Sequence, residues 1–454
     1  MELYAYSGKE ITPNPYQSIN HLPFELLGNI FILAAGQPED VASRPRSSFW
    51  LAHVDAYWRK VALATSHLWT TIPVTNPPSP GLMSFLFKHS KLRSLCIRFE
   101  PQFKPVPRRT IASFGPYIDR ITNVHFGKGS LAKIVEKTIE NLAMPNLKVL
   151  EWFPEEVQYS GADYFPPLNY PKLAVLRTDK DVVFCESTQS LRLRELEVGL
   201  GVYDSSHELQ ILEMYRDLRV CKLYISEQTP CDEVYEAVTA PRLTHLSILL
   251  GDKGSWETLL TLVCSVDAPC LKKLTIQFSK NRQRLIPWEW ETDKSRTFSI
   301  ERVKKVVVDL TNLNTQSKDR RVHPYDEACW VLGRFSEVRY LELIGVQLRF
   351  LLPEFEMWML ESVETLVLRD DKIGHGEDLA GDVVCILATM PKVRTLVMTD
   401  PGDRWTRHDI QRTTKRHDCR VIWETEFNSD EFDTDSSDTD SSDTDQSRTE
   451  DEVW

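Results

Sequence analysis

Histidine and cysteine, the side chains that most often do chemistry, are present in this sequence but are not spaced as catalytic or metal sites. Eleven histidines are spread along 454 residues, and the nine cysteines include no C-x-x-C pair. An odd number of scattered cysteines fits neither a disulfide framework nor a zinc site. Glycine-rich phosphate loops, G-x-S-x-G and H-E-x-x-H are also missing. The sequence therefore predicts no catalytic residue, no metal and no cofactor, and it favours a protein that binds.

Charge is distributed unevenly along the chain. The formal net charge is -12, but residues 428–454 contain eleven Asp or Glu and one Arg, a net charge of -10. Subtracting -10 from -12 leaves -2 for the rest of the chain. A protein that binds a phosphate backbone needs a basic face or stripe. The near-neutral balance therefore predicts no nucleic-acid partner.

Both ends of the chain are predicted to lie outside the folded part. Residues 1–18 contain two prolines and no apolar period, which indicates a flexible N-terminus. Residues 428–454 are too charged and too poor in apolar side chains to offset chain entropy, which predicts an acidic disordered tail. Ser437, Ser442 and Ser447 each have an acidic residue three positions on. The tail is thus either solubilising or regulated by an acidophilic kinase.

Targeting signals are not evident in the sequence. The opening MELYAYSGKE lacks a basic region followed by an apolar run, and no apolar segment approaches the ~18 residues needed to span a bilayer. Cysteines without a pairing pattern indicate a reducing compartment. The sequence predicts no membrane partner and a cytoplasmic or nuclear location.

A short aliphatic phrase returns along most of the chain and must position any binding residues. It consists of an aliphatic residue, two variable ones, another aliphatic residue, one variable and an apolar residue, as in Leu147-x-x-Leu150-x-Trp152. Start-to-start separations run from 20 to 35 residues, close to the range of leucine-rich repeats. The twelve copies begin at Leu92, Ile121, Leu147, Leu173, Leu193, Leu218, Leu243, Leu271, Val303, Val338, Val363 and Val393.

The segments between the phrases have helical apolar spacing, for example Val383–Met390. Strand followed by helix, repeated a dozen times, predicts an α/β fold with parallel strands stacked side by side. A polar helix over 406–416 and a Val421-x-Trp423 strand are predicted to close the far end. A doubly wound sheet with extra pieces is the alternative fold.

Binding is predicted on the side chains that alternate with the buried apolar ones, because successive strand residues point to opposite faces. This face mixes both signs of charge with aromatic and aliphatic side chains, which suits an unidentified protein target. The candidate target-binding residues are Glu151, Phe153, Arg177, Glu197, Lys222, Tyr224, Gln277, Glu342 and Arg369.

The stretch 19–72 precedes the repeats and carries two apolar stripes at helical spacing. The first runs from Leu22-Pro23 through Leu33, and the second from Leu51 through Leu63. Gly36–Ser48, with two prolines and no period, is predicted to be a loop between them. The stripes contain Leu26, Ile30, Phe31 and Leu33 in the first half and Val54, Trp58, Val61 and Ala62 in the second.

These residues resemble an F-box, the helical module through which substrate receptors attach to the Skp-type adaptor of a cullin-RING ubiquitin ligase. The opening Leu22-Pro23-Phe24-Glu25-Leu26 is LPxEL-like, and Val54–Arg59 is similar to a V-C-x-x-W-R segment. Leu63–Trp69 is similar to the A-x-x-T-x-x-L-W ending of many fungal members. The resemblance implies an adaptor-binding face formed or supported by Leu22, Pro23, Leu26, Ile30, Phe31 and Trp58. An ordinary helical cap on the repeats is the alternative.

The repeats resemble the irregular leucine-rich repeats that follow an F-box in many receptors. That resemblance implies an F-box-like helical domain at 19–72 and a leucine-rich-repeat-like solenoid at 82–427, linked by the proline-rich Pro73–Gly81. It implies a non-catalytic substrate receptor whose partners are a Skp-type adaptor, through it a cullin, and a target protein. A leucine-rich scaffold without ubiquitin machinery is the alternative function, and an enzyme is a third.

Overall fold

A computed structural model defines the fold of the N-terminal helices and of the repeated strands. The predictions for residues 1–18 and for the acidic segment 428–454 lie outside the part that it describes. The described residues are 19–35, 44–75, 79–100, 106–130, 138, 144–154, 170–181, 192–200, 212–225, 238–251, 259, 263, 265–278, 303–311, 337–345, 361–369, 379–399 and 404–424.

Three helices form the front of the chain. They are α1 (Phe24–Ala34), α2 (Arg44–His53) and α3 (Ala56–Ala64), with short 3-10 turns at Ile19–His21 and Ser66–Trp69. The prediction of a loop through Ser48 was wrong at its end, because α2 already begins at Arg44. Pro45 falls in the first turn of α2, where its missing N–H leaves no hydrogen bond unmade.

The second apolar stripe, from Leu51 through Leu63, is divided between two helices. Asp55 stands between them in an extended conformation, and its Oδ1 accepts a hydrogen bond from the backbone N–H of Trp58 at 2.7 Å. An aspartate in this position is a favourable N-cap. It therefore starts α3 as a new helix instead of continuing α2.

The strands form one long parallel sheet. Fourteen of the described strands pair side by side in chain order, and the two-residue strands β8 and β10 pair only with each other. The α/β fold class with a long parallel sheet is confirmed. The strands are β1 (Thr71–Val74), β2 (Leu95–Phe99), β3 (Ile121–Ser130), β4 (Val149–Pro154), β5 (Val175–Asp181), β6 (Glu195–Leu200), β7 (Val220–Ile225), β8 (Val238–Thr239), β9 (His245–Leu250), β10 (Val266–Asp267), β11 (Lys273–Phe278), β12 (Lys305–Asp309), β13 (Tyr340–Ile344), β14 (Thr365–Arg369), β15 (Thr395–Met398) and β16 (Arg420–Trp423).

Within the described ranges, four further helices with defined bounds and a 3-10 turn lie between strands. They are α4 (Pro80–His89), α5 (Arg108–Ala112), α6 (Leu379–Thr389) and α7 (Arg404–Arg416), with the 3-10 turn at Gly115–Arg120. The predicted helix over Val383–Met390, the polar helix over 406–416 and the last strand at 421–423 are confirmed by α6, α7 and β16. No helix of the described ranges is long and apolar enough to cross a membrane.

The second aliphatic residue of the phrase forms a continuous row across the sheet. Leu150 pairs with Leu176, Leu176 with Leu196, and the same position continues to Val421 on β16. These side chains are buried in a single cluster that extends from Leu27 in α1 to Trp423 in β16. The row therefore places one side chain per strand against a shared core, aliphatic in every strand except β7, which contributes Cys221.

The first copy of the phrase departs from the predicted register. Leu92 is 93% exposed, whereas Ile97 pairs with Ile72 on one side and Val124 on the other. Lys91, just before Leu92, has a positive φ of 53°, so the chain is still turning out of α4 at this point. Leu95, Ile97 and Phe99 are the buried residues of β2, so Leu95 and Ile97 are in the core as predicted and Leu92 is not. Ile97, two positions after Leu95, is the residue that pairs with Val124.

Strand β1 joins the front helices to the sheet. Residues Thr71–Val74 pair with β2 in parallel register. The sequence-based boundary at Ile72 and the linker predicted from Pro73 therefore fall within a strand. Because Ile72 and Val74 are fully buried, the front helices continue directly into the core of the sheet.

The register predicts a difference between two Leu→Ala substitutions. Leu150→Ala should destabilise the fold by about 2–5 kcal/mol, because it leaves a cavity between strands. The matched control Leu92→Ala should change the free energy of unfolding by less than about 0.5 kcal/mol, because its side chain lies in solvent. Urea unfolding followed by circular dichroism measures both, and equal losses would contradict the register.

Candidate functional site

The front helices expose large apolar side chains. On α1, Leu26, Ile30 and Leu33 are 51%, 39% and 73% exposed, and their spacing places them on one face of the helix. Trp50 in α2 is 78% exposed, and Val54, just after α2, is 59% exposed. These five residues are called the front apolar surface. Exposed apolar side chains of this size on α1 and at the end of α2 make this a candidate binding surface.

Other side chains predicted for adaptor binding lie beneath that surface. Phe31 is fully buried and its ring lies 4.8 Å from that of Trp58. Trp58 and Leu22 are partly buried against the same core, and the Tyr57 hydroxyl donates a hydrogen bond to the Leu22 carbonyl at 3.1 Å. Phe31 can thus support α1 but cannot touch a partner, whereas Pro23 is exposed with Leu26 and Ile30.

The most exposed members of this surface were missed as site residues by sequence reasoning. Leu33 continues the series of Leu26 and Ile30 at helical spacing, so the pattern itself could have identified it. Trp50 gave no such signal, because the segment before it was predicted to be a loop. Only the start of α2 at Arg44 gives Trp50 a helical position next to Val54.

A packed aromatic group attaches the front helices to the sheet. The Trp69 indole N–H donates to the Ala62 carbonyl at 2.8 Å, and the ring meets those of Phe49 and Phe85 at 5.3 Å each. The Ser48 hydroxyl donates to the Leu68 carbonyl at 3.1 Å. Helices α2, α3 and α4 are therefore held around one fully buried tryptophan directly before β1.

On the sheet, the predicted target-binding residues of strands β4 to β7 form one connected group of charges. Glu151 accepts from Arg177 at 2.7 Å, and Arg177 also reaches Glu195 at 3.1 Å. Glu197 lies 3.5 Å from the Lys222 ammonium and accepts a hydrogen bond from the Tyr224 hydroxyl. His125 Nδ1 on β3 is 2.5 Å from Glu151. This ionic cluster comprises His125, Glu151, Arg177, Glu195, Glu197, Lys222 and Tyr224.

Two members, His125 and Glu195, were not predicted as site residues. His125 occupies the strand position that pairs with Glu151, so the weak copy of the phrase at Ile121 contained the signal. Glu195 is the first residue of β6. It contacts Arg177, which lies eighteen residues earlier in the sequence, on the neighbouring strand β5. Neither contact joins residues that are close together in sequence.

Electrostatics couples His125 and Glu151. Burial lowers the pKa of His125, but hydrogen bonds to Cys96 and Glu151 and their charges outweigh it and raise the pKa to about 9. Burial raises the pKa of Glu151, but its bonds to His125 and Arg177 prevail and lower it below the usual range. The pair is therefore ionised at neutral pH, an imidazolium against a carboxylate.

A second polar group lies on strands β13 to β16. The Arg369 guanidinium contacts Glu342 at 2.8 Å and Glu424 at 2.7 Å, and the Thr399 hydroxyl donates to Glu424 at 2.9 Å. Tyr340 donates to Glu342 at 3.1 Å. The predicted residues Glu342 and Arg369 are thus brought together, and three strands, β9, β11 and β12, separate them from the ionic cluster in the sheet order.

Alternation between a buried and an exposed face does not hold along the whole sheet. Glu197 and Glu342 were predicted on an open face, but both are 8% exposed. Their partners supply the hydrogen bonds that a buried carboxylate requires. On β13 to β15, Tyr340, Val367 and Val397 form a second buried apolar cluster. The open part of this face is therefore smaller than the pattern predicted.

The remaining predicted residues of the face lie apart from both groups. Gln277 on β11 is partly exposed, between the ionic cluster and the Glu342–Arg369 pair in strand order. Phe153 belongs to β4, but its side chain lies outside the described residues. Within the described ranges, no group of three or more His, Cys, Asp or Glu side chains is arranged to hold a metal ion.

Comparisons with known proteins do not assign a family. No family model matches the chain, and no curated protein matches it. Among solved structures, the chain is similar to a structural-genomics target protein from Bacteroides fragilis, with 11% identity and a TM-score of 0.29 over 74% of this chain and 76% of that chain. A likeness of this strength carries no argument about fold or function.

The coupled pair predicts a pH dependence. The pKa of His125 is raised to about 9 in the folded chain, from about 6.5 in the unfolded chain. The contribution of His125 to the free energy of unfolding is therefore complete below about pH 6.5 and is lost as the pH rises to about 9. The wild-type chain should lose on the order of 1–3 kcal/mol of stability through this group across that window. Glu151→Gln should return the His125 pKa towards 6.5 and remove that loss.

Carbon-13 NMR of labelled histidines gives the pKa, and urea unfolding at pH 6.5 and 9 gives the stability difference. Glu213→Gln, which neutralises an exposed glutamate, serves as the matched control and should leave both quantities unchanged. A wild-type His125 that titrates near 6.5 would disprove the coupling.

Proposed function

We propose that the protein is a non-catalytic substrate-recognition subunit of a cullin-RING ubiquitin ligase of the Skp-cullin-F-box type. The front helices bind a Skp-type adaptor and, through it, a cullin, while the sheet binds the target protein. The observation that carries the proposal is the exposure of Leu26 and Ile30 within the LPxEL-like segment. Large apolar side chains at those positions remain in solvent unless a second protein covers them.

The packing beneath α1 supports the adaptor-binding role. Phe31 and Trp58 are in ring contact, and Leu27 is fully buried, so α1 is held with its outer face fixed. A fixed outer face loses little entropy on binding, which favours affinity. Leu22 and Pro23 set the start of this helix, and Leu26, Ile30 and Leu33 provide its contact surface.

The repeated strands support the target-binding role. We interpret them as an irregular leucine-rich-repeat-like solenoid in which each repeat is stabilised by its neighbours. The front helices cover one end, and α7 with β16 covers the other. Target contact would fall on the members of the face that keep solvent access: the Arg177 side chain is 39% exposed, that of Lys222 is 51% exposed, and Gln277 is partly open.

In the proposed function, the chain positions the target protein and catalyses no reaction itself. Binding a target beside the ubiquitin carrier raises the effective concentration of target lysines, which accelerates transfer by other subunits. The ionic cluster is already internally paired, so it offers an ordered polar surface of mixed sign. Such a surface suits a protein partner better than a membrane.

The alternative function is a leucine-rich interaction scaffold without ubiquitin machinery. Its front helices would then serve only as a cover for the first strands, a role that the burial of Trp69 and Ile72 equally supports. The two functions differ in what the front apolar surface does, because a cover has no need of exposed Leu26 and Ile30.

Adaptor capture provides the direct test. Leu26→Asp combined with Ile30→Asp should weaken binding to a recombinant Skp-type adaptor at least about 100-fold, because charge enters an apolar interface at a cost of several kcal/mol. Biolayer interferometry with the full chain measures the affinity. Leu92→Asp with Val384→Asp is the matched control, since it adds the same charge at two exposed apolar side chains elsewhere.

The control variant should bind the adaptor as the wild type does. Unchanged binding by the Leu26 and Ile30 variant, or no binding by the wild type, would refute the ligase function and leave the scaffold.

Target lifetime separates the two functions in cells. Proteins captured by the sheet should be degraded faster when wild-type chain is expressed than when the Leu26→Asp, Ile30→Asp variant is expressed, although both forms capture them equally. Cycloheximide-chase mass spectrometry of the captured proteins measures their half-lives. Equal half-lives with the two forms would favour the scaffold.

A further inference from the structure

The residues at the start of strands β3 to β7, β9 and β11 to β15 form a row along one edge of the sheet. Each immediately precedes its strand except Thr122, which is the second residue of β3. The strands are parallel and in register, so these residues lie side by side at the amino-terminal edge. Their backbones are joined directly, for example Arg219 N–H to the Arg194 carbonyl at 2.8 Å and Arg394 N–H to the Glu364 carbonyl at 2.9 Å. This amino-terminal row contains Thr122, Lys148, Ala174, Arg194, Arg219, Thr244, Lys272, Lys304, Arg339, Glu364 and Arg394.

The amino-terminal row is strongly basic. Seven of its eleven members are Lys or Arg, all seven are exposed, and Glu364 is the one acidic member. No ion pair with any of the seven is formed within the described part of the chain. From Lys148 on β4 to Arg394 on β15 there are nine strand steps, which at about 4.8 Å per step span roughly 40 Å.

Neighbouring charges do not cancel this row. The next position adds Lys273 on β11 and Lys305 on β12, against one acid, Glu195 on β6, which already contacts Arg177 at 3.1 Å. Asp217, one of the acids at the same edge, is already paired with Arg242 at 2.5 Å. The near-neutral charge of the folded chain predicted no basic stripe, and that argument was wrong for this edge. Basic residues 25 to 55 positions apart in sequence are brought into one line by the register.

The chain contains a segment of matching charge. Residues 428–454 hold eleven Asp or Glu and one Arg. They follow the carboxyl end of β16, whose last residue, Trp423, pairs with Met398 at the edge of the sheet opposite Arg394. The four residues of β16, about 13 Å at 3.3 Å per residue, separate that end from the row. Twenty-seven residues span at most about 90 Å when extended, about twice the length of the row. The segment is thus long enough to lie along the row from its β15 end.

We propose that the acidic segment 428–454 binds in cis to the amino-terminal row. Connection to the same chain gives the segment an effective concentration in the millimolar range, which an external acidic partner must exceed. The segment therefore acts as an internal competitor that regulates access of acidic proteins to this edge. The proposal does not depend on adaptor binding, because it uses neither the front apolar surface nor the ionic cluster.

Zero-length carbodiimide cross-linking of the full chain tests the contact. This reagent joins carboxylates to lysine amines that touch them, so the tryptic peptide 421–448 should be linked to Lys148, Lys272 and Lys304. Because the contact is electrostatic, raising NaCl from 50 mM to 500 mM should lower the yield at least about fivefold. A mixture of nitrogen-15 and unlabelled chains should give links within one chain only.

Charge reversal of the arginines leaves the lysine reporters in place. Arg194→Glu, Arg219→Glu and Arg339→Glu together should lower the yield at the three lysines at least about fivefold. The matched control reverses three exposed arginines elsewhere, Arg108→Glu, Arg109→Glu and Arg412→Glu, and should leave the yield unchanged.

Three results would overturn the proposal. The first is a set of links spread evenly over other exposed lysines such as Lys60, Lys88 and Lys415. The second is a predominance of links between labelled and unlabelled chains, which would place the segment on a second copy. The third is the absence of links in a chain that binds a single-stranded oligonucleotide through the same arginines, which would assign the row to nucleic acid.

Discussion

Parallel register is the constraint on which the rest of this protein depends. Each strand contributes one side chain to the shared core row, as Leu150, Leu196 and Leu246 do, and a slip of one residue would turn that side chain to the opposite face. The same register fixes the side chains between the core positions and the residues before each strand. The core, the ionic cluster and the amino-terminal row are thus three consequences of one backbone arrangement.

Different elements pack at the two ends of the described sheet. At the front, Trp69 is fully buried among aromatic rings and β1 follows it immediately, so helices and sheet share one core. At the far end, α7 places Ile410 and Thr414 in the core, and the Arg407 guanidinium lies 5.1 Å from the Trp423 ring. In both places helices pack against the terminal strand of the described sheet. The front differs in retaining an apolar outer surface, which is why we assign binding to it.

Buried charge shapes the face of the sheet. Glu197 is 8% exposed, yet Arg177, Lys222 and Tyr224 all reach it, so its desolvation is offset by several partners. Removing a single partner would leave a buried carboxylate poorly paired. The network accordingly favours one arrangement of strands β3 to β7 and holds its side chains in fixed positions. An ordered polar surface of this kind discriminates between targets by charge position more than by total charge.

Hydrophobic period was enough to predict the repeated strands, their parallel order and the last helix and strand, because it is a local property of each segment. It did not determine that Leu92 lies in solvent, that Asp55 starts a separate helix, or that Phe31 lies beneath the surface it was assigned to. These depend on where a turn ends and on what packs above it.

Which charged side chains contact each other depends on the tertiary structure. His125 and Glu151 are 26 residues apart, as are Arg177 and Glu151. Consecutive basic residues of the amino-terminal row are 25 to 55 positions apart. In the net charge of the folded part of the chain, these acidic and basic residues nearly cancel. Only the pairing of neighbouring strands, which depends on the register of the whole sheet, arranges them into an ionic cluster on one face and a basic line along one edge.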